Sequence, residues 1–176
     1  TVLFFIAYTV KKGASAPRHF PQKLNTIIIE GDVDCKNKTN EALSLLEEKA
    51  IENYNTVKKY VGKINCVEKG SGMYAYETPP RYQVGKNTYY YSTTTWYAGT
   101  IVHDACHSKL YNDYHREHPI SSVPSNIWMG KNAEQKCLDI QYEASQKIGA
   151  DEEELSTIKN AINTNYWDVP LSERNW

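Results

Sequence analysis

A pair of histidines four residues apart, with an aspartate directly after the first, restricts the fold of this chain more than any other feature. His103, Asp104 and His107 stand in the run WYAGTIVHDACHSKLY, residues 96–111. At 100° per residue on an α-helix, His107 lies about 40° from His103, so the two imidazoles share one face, one turn apart. Imidazoles so placed can bind one divalent cation, which predicts a metal-binding helix. The alternative is a pair of polar histidines that face solvent or hydrogen-bond within a core.

The other residues of this predicted helix lie either beside the histidine pair or on the opposite face of the helix. Asp104 lies about 100° and Cys106 about −60° from His103, so they stand on opposite sides of the histidine pair. Small or apolar residues suited to packing against a sheet form the back, namely Ala98, Ile101 and Ala105. We therefore expect a helix that is buried on one side and presents reactive groups on the other.

A second amphipathic helix is predicted over GKNAEQKCLDIQYEASQKIGA, residues 130–150, with Asn132 as its N-cap and Gly149 as its stop. Its inward face begins with a carboxylate and then carries uncharged residues: Glu134, Leu138, Gln141, Ser145 and Ile148. Its outward face is charged: Lys136, Asp139, Glu143 and Lys147. Glu134 is therefore the candidate third metal ligand. The alternative is that Glu134 only complements the partial positive charge of the helix N-terminus.

Together, VHDACHSKLY and AEQKCLDIQYEASQKIGA resemble a family of small, mostly uncharacterised bacterial and archaeal zincin-type proteins, and the resemblance extends less specifically over residues 40–150. It implies an α+β, gluzincin-like fold in which one helix brings two histidines and a base, and a second helix brings a glutamate. By this resemblance His103, His107 and Glu134 bind zinc, and Asp104 activates a metal-bound water. The implied function is zinc-dependent hydrolysis of a peptide or protein substrate by a metallopeptidase.

Two departures from the family pattern favour other interpretations. Asp104 stands where glutamate is usual, and the spacing from His107 to Glu134 is longer than in the best-known gluzincins. One methylene less shortens the reach of the carboxylate by about 1.5 Å, which weakens a base that must lie about 2.6–3.2 Å from its proton. The alternative function is a catalytically inactive zincin-like domain that acts as a binding or structural module. An HD-type phosphohydrolase is a third hypothesis, but the β-rich middle of the chain argues against the helical bundle it requires.

The rest of the chain is expected to form a scaffold around these two helices. The predicted elements are a strand at 26–30, a loop at 31–37, an amphipathic scaffold helix at 40–61, a β meander with strands at 64–68, 73–77, 81–84 and 88–94, and a last helix at 151–163. Tyrosines 89–91 are candidates for a cleft wall, although ordinary cross-strand aromatic pairing is the simpler interpretation. His115 and His118 are predicted to lie in a surface loop. His118 is a rival third ligand whose spacing does not fit the metzincin pattern.

Four cysteines stand at informative positions. Cys106 follows His103 by three residues and Cys137 follows Glu134 by three, so two helices that meet at one metal bring these sulfurs together. Among the three pairings that four cysteines allow, we predict Cys106 with Cys137 and Cys35 with Cys66. Disulfides imply an extracytoplasmic protein, either secreted or on the cell surface. The alternative role of Cys106 as a nucleophile has no evident activating group in this apolar context.

Composition and the N-terminal segment bear on the partners and the domain organisation of the chain. The chain has 176 residues, 40% of them hydrophobic, and a formal net charge of −1. That charge disfavours a nucleic-acid partner, which usually meets a basic face. Residues 1–20 are apolar, then basic and proline-containing, which indicates the remnant of a signal or membrane anchor. The alternative is that the apolar residues 1–10 form a buried strand. Membrane association is expected only through this segment. Residues 21–176 are expected to form one domain, and the oligomeric state is not predicted.

Overall fold

The computed structural model of this protein describes residues 26–162 and Thr164, so segment 1–20 lies outside the described residues. The strands are β1 (Ile28–Glu30), β2 (Lys63–Val67), β3 (Gly72–Tyr74) and β4 (Arg81–Gly85). The helices are α1 (Val33–Lys49), α2 (Ile51–Tyr60), α3 (Lys86–Tyr89), α4 (Thr94–Glu117), α5 (Ser125–Trp128), α6 (Lys131–Ile148) and α7 (Glu152–Ile162). The fold is therefore α+β, as predicted.

The strands form one mixed sheet in the order β1-β2-β4-β3. Strands β1, β2 and β4 run parallel, with Ile64 of β2 opposite both Ile29 and Tyr82, and β3 pairs antiparallel with β4 at the edge. The predicted meander is wrong, because β2 has β4 rather than β3 as its neighbour. Ile64 and Tyr82 are fully buried, so the centre of the sheet contributes directly to the core.

The predicted strand at residues 88–94 is also wrong. This run forms the short helix α3 and then the N-cap of α4, where the Thr93 hydroxyl accepts a hydrogen bond from the Trp96 amide at 3.0 Å. Threonine and tyrosine favour strands, but a threonine at a helix N-terminus also satisfies a backbone donor that would otherwise lack a partner. Tyr89 is buried, while Tyr90 and Tyr91 are 49% and 70% exposed. These tyrosines therefore do not form a strand wall.

The scaffold helix begins earlier than predicted and is interrupted. The Asp32 carboxylate accepts a hydrogen bond from the Cys35 amide at 2.8 Å and caps α1, so most of the predicted loop at 31–37 is helical. At Ala50 the backbone leaves the helical region, with φ −140° and ψ 54°, and α2 follows. The apolar stripe still continues across this break, because Leu46, Val57 and Val61 are all fully buried.

Helix α4 is the central helix of the fold and packs against α6, α2, α1 and the edge strand β3. Its predicted back residues Ala98, Ile101 and Ala105 are fully buried. The helix extends into the segment that was predicted to be a loop, so His115 is helical and His118 is the C-cap. The rings of Tyr111 and His115, one turn apart, stack with centroids 6.3 Å apart, which favours this extension.

Helix α6 matches the predicted amphipathic pattern. All five inward residues are buried and the four charged outward residues are exposed. Its N-cap is Gly130 rather than the predicted Asn132, because the Gly130 carbonyl already accepts the first helical hydrogen bond, from the Glu134 amide at 3.0 Å. Gly149 ends the helix with φ 84° and ψ 35°, a left-handed conformation that favours glycine. Among the described residues, no helix combines the length and apolarity needed to cross a bilayer.

Candidate metal centre

The candidate metal centre lies where α4 and α6 approach each other closely. Gly99 permits this approach, because a Cβ at that position would stand 2.7 Å from the Ser145 hydroxyl oxygen. A larger residue at 99 would push the two helices apart. The sequence therefore provides a small residue one turn before His103, at the point where the helices need to be close.

One of two disulfides joins these helices directly, and the other lies between α1 and β2. Cys106 is bonded to Cys137, which joins α4 to α6 beside His107 and one turn after Glu134, and Cys35 is bonded to Cys66, which joins α1 to β2. Both predicted pairings are confirmed. Since its sulfur is in a disulfide, Cys106 is not a free nucleophile. Two disulfides are characteristic of chains that fold in an oxidising, extracytoplasmic environment.

Three side chains converge between the helices. His103 Nε2 lies 3.0 Å from His107 Nε2, and the Glu134 Oε2 atom lies 3.1 Å from the first and 3.2 Å from the second of these nitrogens. His103, His107 and Glu134 are 8%, 6% and 5% exposed. Solvated surface histidines are therefore excluded, and Glu134 does more than complement a helix terminus.

These distances are compatible with a shared cation as well as with direct hydrogen bonds. A tetrahedral site with ligand bonds of about 2.0–2.1 Å has edges of about 3.3–3.4 Å between ligand atoms, close to the three separations observed. One carboxylate oxygen and two imidazole nitrogens all point to the same small space, and together they form a group able to hold a metal ion. The three residues predicted as ligands are thus brought together, whereas the rival His118 is exposed and bonds the Tyr114 carbonyl.

A main-chain carbonyl orients one of the two imidazoles. His107 Nδ1 lies 2.7 Å from the Trp128 carbonyl oxygen, an acceptor, so this nitrogen carries a proton. Nε2 faces the cluster: it donates to Glu134 when the ring is protonated and presents a lone pair to a metal ion when the ring is neutral. The Trp128 ring packs edge-on against Tyr111 and Tyr76, at centroid distances of 5.3 and 6.4 Å. The sequence did not predict this role for Trp128, because any residue type can provide a backbone carbonyl.

The residues of the cluster also shift one another's pKa values. Burial alone would raise the pKa of the Glu134 carboxyl, but hydrogen bonds from His103 and His107 outweigh it and hold that pKa well below its usual range. Burial alone would lower the pKa of His107, but the Glu134 and Asp104 carboxylates and the Trp128 carbonyl raise it. The Glu134 carboxylate therefore stays negative, and either a protonated imidazole or a bound cation can neutralise its charge.

Asp104 lies beside this cluster, on the flank that the helical geometry predicts. It is 8% exposed, and its charge raises the pKa values of both His107 and the buried Tyr82. With His103 it also lines a cavity next to the centre. A second carboxylate therefore stands near the ligand set without belonging to it.

In comparisons with protein-family models, curated proteins and solved structures, this chain has no match. Its function is therefore inferred from the geometry of its own site.

Proposed function

We propose that this protein is an extracytoplasmic, zincin-like metallopeptidase that binds one zinc ion and hydrolyses a peptide bond in a peptide or protein substrate. The observation that carries the proposal is the buried cluster of His103, His107 and Glu134, whose ligand atoms lie 3.0–3.2 Å apart. The two disulfides support a secreted or cell-surface location.

The donor set favours zinc over the other common divalent cations. Magnesium and calcium prefer sites made entirely of oxygen ligands, whereas imidazole nitrogens suit zinc. Two histidines and one carboxylate are also a common ligand set of catalytic zinc sites, which keep a fourth position for water or substrate. When bound, zinc lowers the pKa of its water to about 7 and polarises the scissile carbonyl.

Residues of the protein would hold the zinc ion, orient its ligands and transfer the proton. His103, His107 and Glu134 hold the ion, and the Trp128 carbonyl keeps the His107 ring in the required tautomer. Asp104 is the proposed general base that accepts the proton of the attacking water and passes it to the leaving amine. Burial keeps bulk water away from this carboxylate, which is 8% exposed.

The second candidate function is a metal-binding zincin-like module without catalysis. The observation that favours it is the aspartate at position 104, since its side chain is one methylene shorter than that of the usual glutamate. Both candidates share the same ligands, so metal binding alone does not separate them. The role of Asp104 does.

Replacing Asp104 by asparagine tests the peptidase proposal. We expect peptide cleavage by the zinc-loaded protein to fall by about 10²–10⁴-fold while zinc content stays at one equivalent, because the general base is lost and the ligands are kept. Asp139→Asn, on the exposed face of α6, is the matched control and should keep wild-type activity. Cleavage is measured on a peptide library, with zinc content determined on the same samples. A zinc-loaded wild type that cleaves no peptide would instead favour the binding module, and an Asp104→Asn variant with full activity would mean that Asp104 is not the general base.

A further inference from the structure

A cavity of about 210 Å³ opens directly beside His103 and Asp104. We call it the α7 cavity, since residues of α7 form part of its lining. Trp96 and Thr100 of α4, Leu138 of α6 and Ile158 and Ala161 of α7 contribute to its lining. The α7 cavity is therefore continuous with the proposed reaction centre.

The walls of the α7 cavity offer little to a polar guest. Leu138 and Ile158, at 4% and 1% exposure, are core side chains whose surfaces form part of the lining. The Thr100 hydroxyl donates to the Tyr97 carbonyl at 2.8 Å and accepts from the Tyr82 hydroxyl at 3.2 Å, so its hydrogen bonds lie within the protein. Away from the polar side chains of His103, Asp104 and Gln141, which also line the cavity, a polar group would lose water without regaining partners, whereas an apolar group gains from burial.

Size and charge further restrict the kind of side chain that the α7 cavity can bind. A cavity of about 150 Å³ lined by apolar side chains is large enough to bind benzene. The α7 cavity, at about 210 Å³, therefore has room for one branched aliphatic or aromatic side chain. An acidic guest is disfavoured, because its carboxylate would lose its water against apolar side chains such as Leu138 and Ile158.

We propose that the α7 cavity is a specificity pocket that receives an apolar side chain, of the size of leucine or phenylalanine, from the residue next to the bond to be cleaved. This inference rests on the proposed function, since it names the substrate class of the same site. When that side chain is bound in the cavity, the adjacent peptide group lies next to His103 and Asp104. Binding of the side chain therefore orients the reacting atoms.

Binding of blocked single amino acids to the full-length, zinc-loaded protein tests the pocket independently of cleavage. The probes are the N-acetyl amides of leucine, phenylalanine, glycine and aspartate, titrated by NMR at the Trp96 indole. We expect the leucine and phenylalanine amides to bind at least about 10-fold more tightly than the glycine and aspartate amides, because only they bury an apolar side chain. Equal affinities would overturn the proposal.

A substitution that fills the cavity provides the second arm. Ala161→Leu is expected to remove the preference for leucine and phenylalanine without changing zinc content, and Asn160→Leu, on the exposed face of α7, is the matched control. Thr157→Leu, at an exposed lining position, gives the same test if Ala161→Leu does not fold. If the filled variant still prefers the leucine and phenylalanine amides, the proposal that the α7 cavity is a specificity pocket is wrong. A preference that is lost on filling, in a zinc-loaded protein that cleaves no peptide, supports the pocket and overturns the peptidase proposal.

Discussion

Replacing Glu134 by glutamine is expected to weaken zinc binding by more than about 100-fold. Removing a group that only orients a metal ligand typically weakens binding by about 10–100-fold, and Glu134 is itself a proposed ligand. The substitution keeps the size of the side chain and removes its negative charge, so the packing of α6 against α4 is preserved. Affinity is measured by competition with a chelator of known zinc affinity, at a pH where histidines are neutral.

The matched control for this variant lies on the same helix. Glu143 is exposed on the outward face of α6, so Glu143→Gln removes the same charge from the same element without touching the cluster. It should bind zinc like the wild type. If Glu134→Gln and Glu143→Gln bind zinc equally well, the proposed ligand set is wrong.

Removing the disulfide between α4 and α6 is expected to have two separate effects. Cys106→Ala with Cys137→Ala opens a loop with a sequence separation of 31 residues. By the entropy of loop closure, this lowers the free energy of unfolding by about 3–4 kcal/mol. Because the same disulfide holds His107 and Glu134 in register, zinc affinity should also fall, by roughly 10-fold. Thermal unfolding and chelator competition measure the two effects.

The second disulfide is a close control for the first. Cys35 and Cys66 also have a sequence separation of 31 residues, but they join α1 to β2 and touch none of the three ligands. Cys35→Ala with Cys66→Ala should therefore lose a similar amount of stability and keep wild-type zinc affinity. Equal zinc affinity in the two double variants would mean that the disulfide between α4 and α6 does not position the centre.

The two helices of the site were predictable because the residue spacing within each segment determines which side chains share a face. A helix places residues i and i+4 on one face, so His103 and His107 had to be neighbours once the segment was helical. The buried stripe beginning at Glu134 follows the same rule. Cys106 and Cys137 then indicated that these two faces meet, and the structure confirms that they do.

The sheet was less predictable because strand order depends on distant parts of the chain. Strand propensity at residues 64–85 identified most of the strand residues but not the parallel pairing of β2 with β4. At residues 88–94, the capping hydrogen bond of Thr93 outweighed strand propensity. The contact of Trp128 with His107 is likewise invisible in the sequence, since the main chain provides it.

The central claim is that one cation binds among His103, His107 and Glu134. A crystal structure of the protein grown with one equivalent of zinc, with anomalous diffraction recorded on both sides of the zinc absorption edge, tests it most directly. We expect a single strong anomalous peak at bonding distance from the Nε2 atoms of both histidines and from the Glu134 carboxylate. A peak elsewhere, with these three side chains still hydrogen-bonded to one another, would contradict the claim.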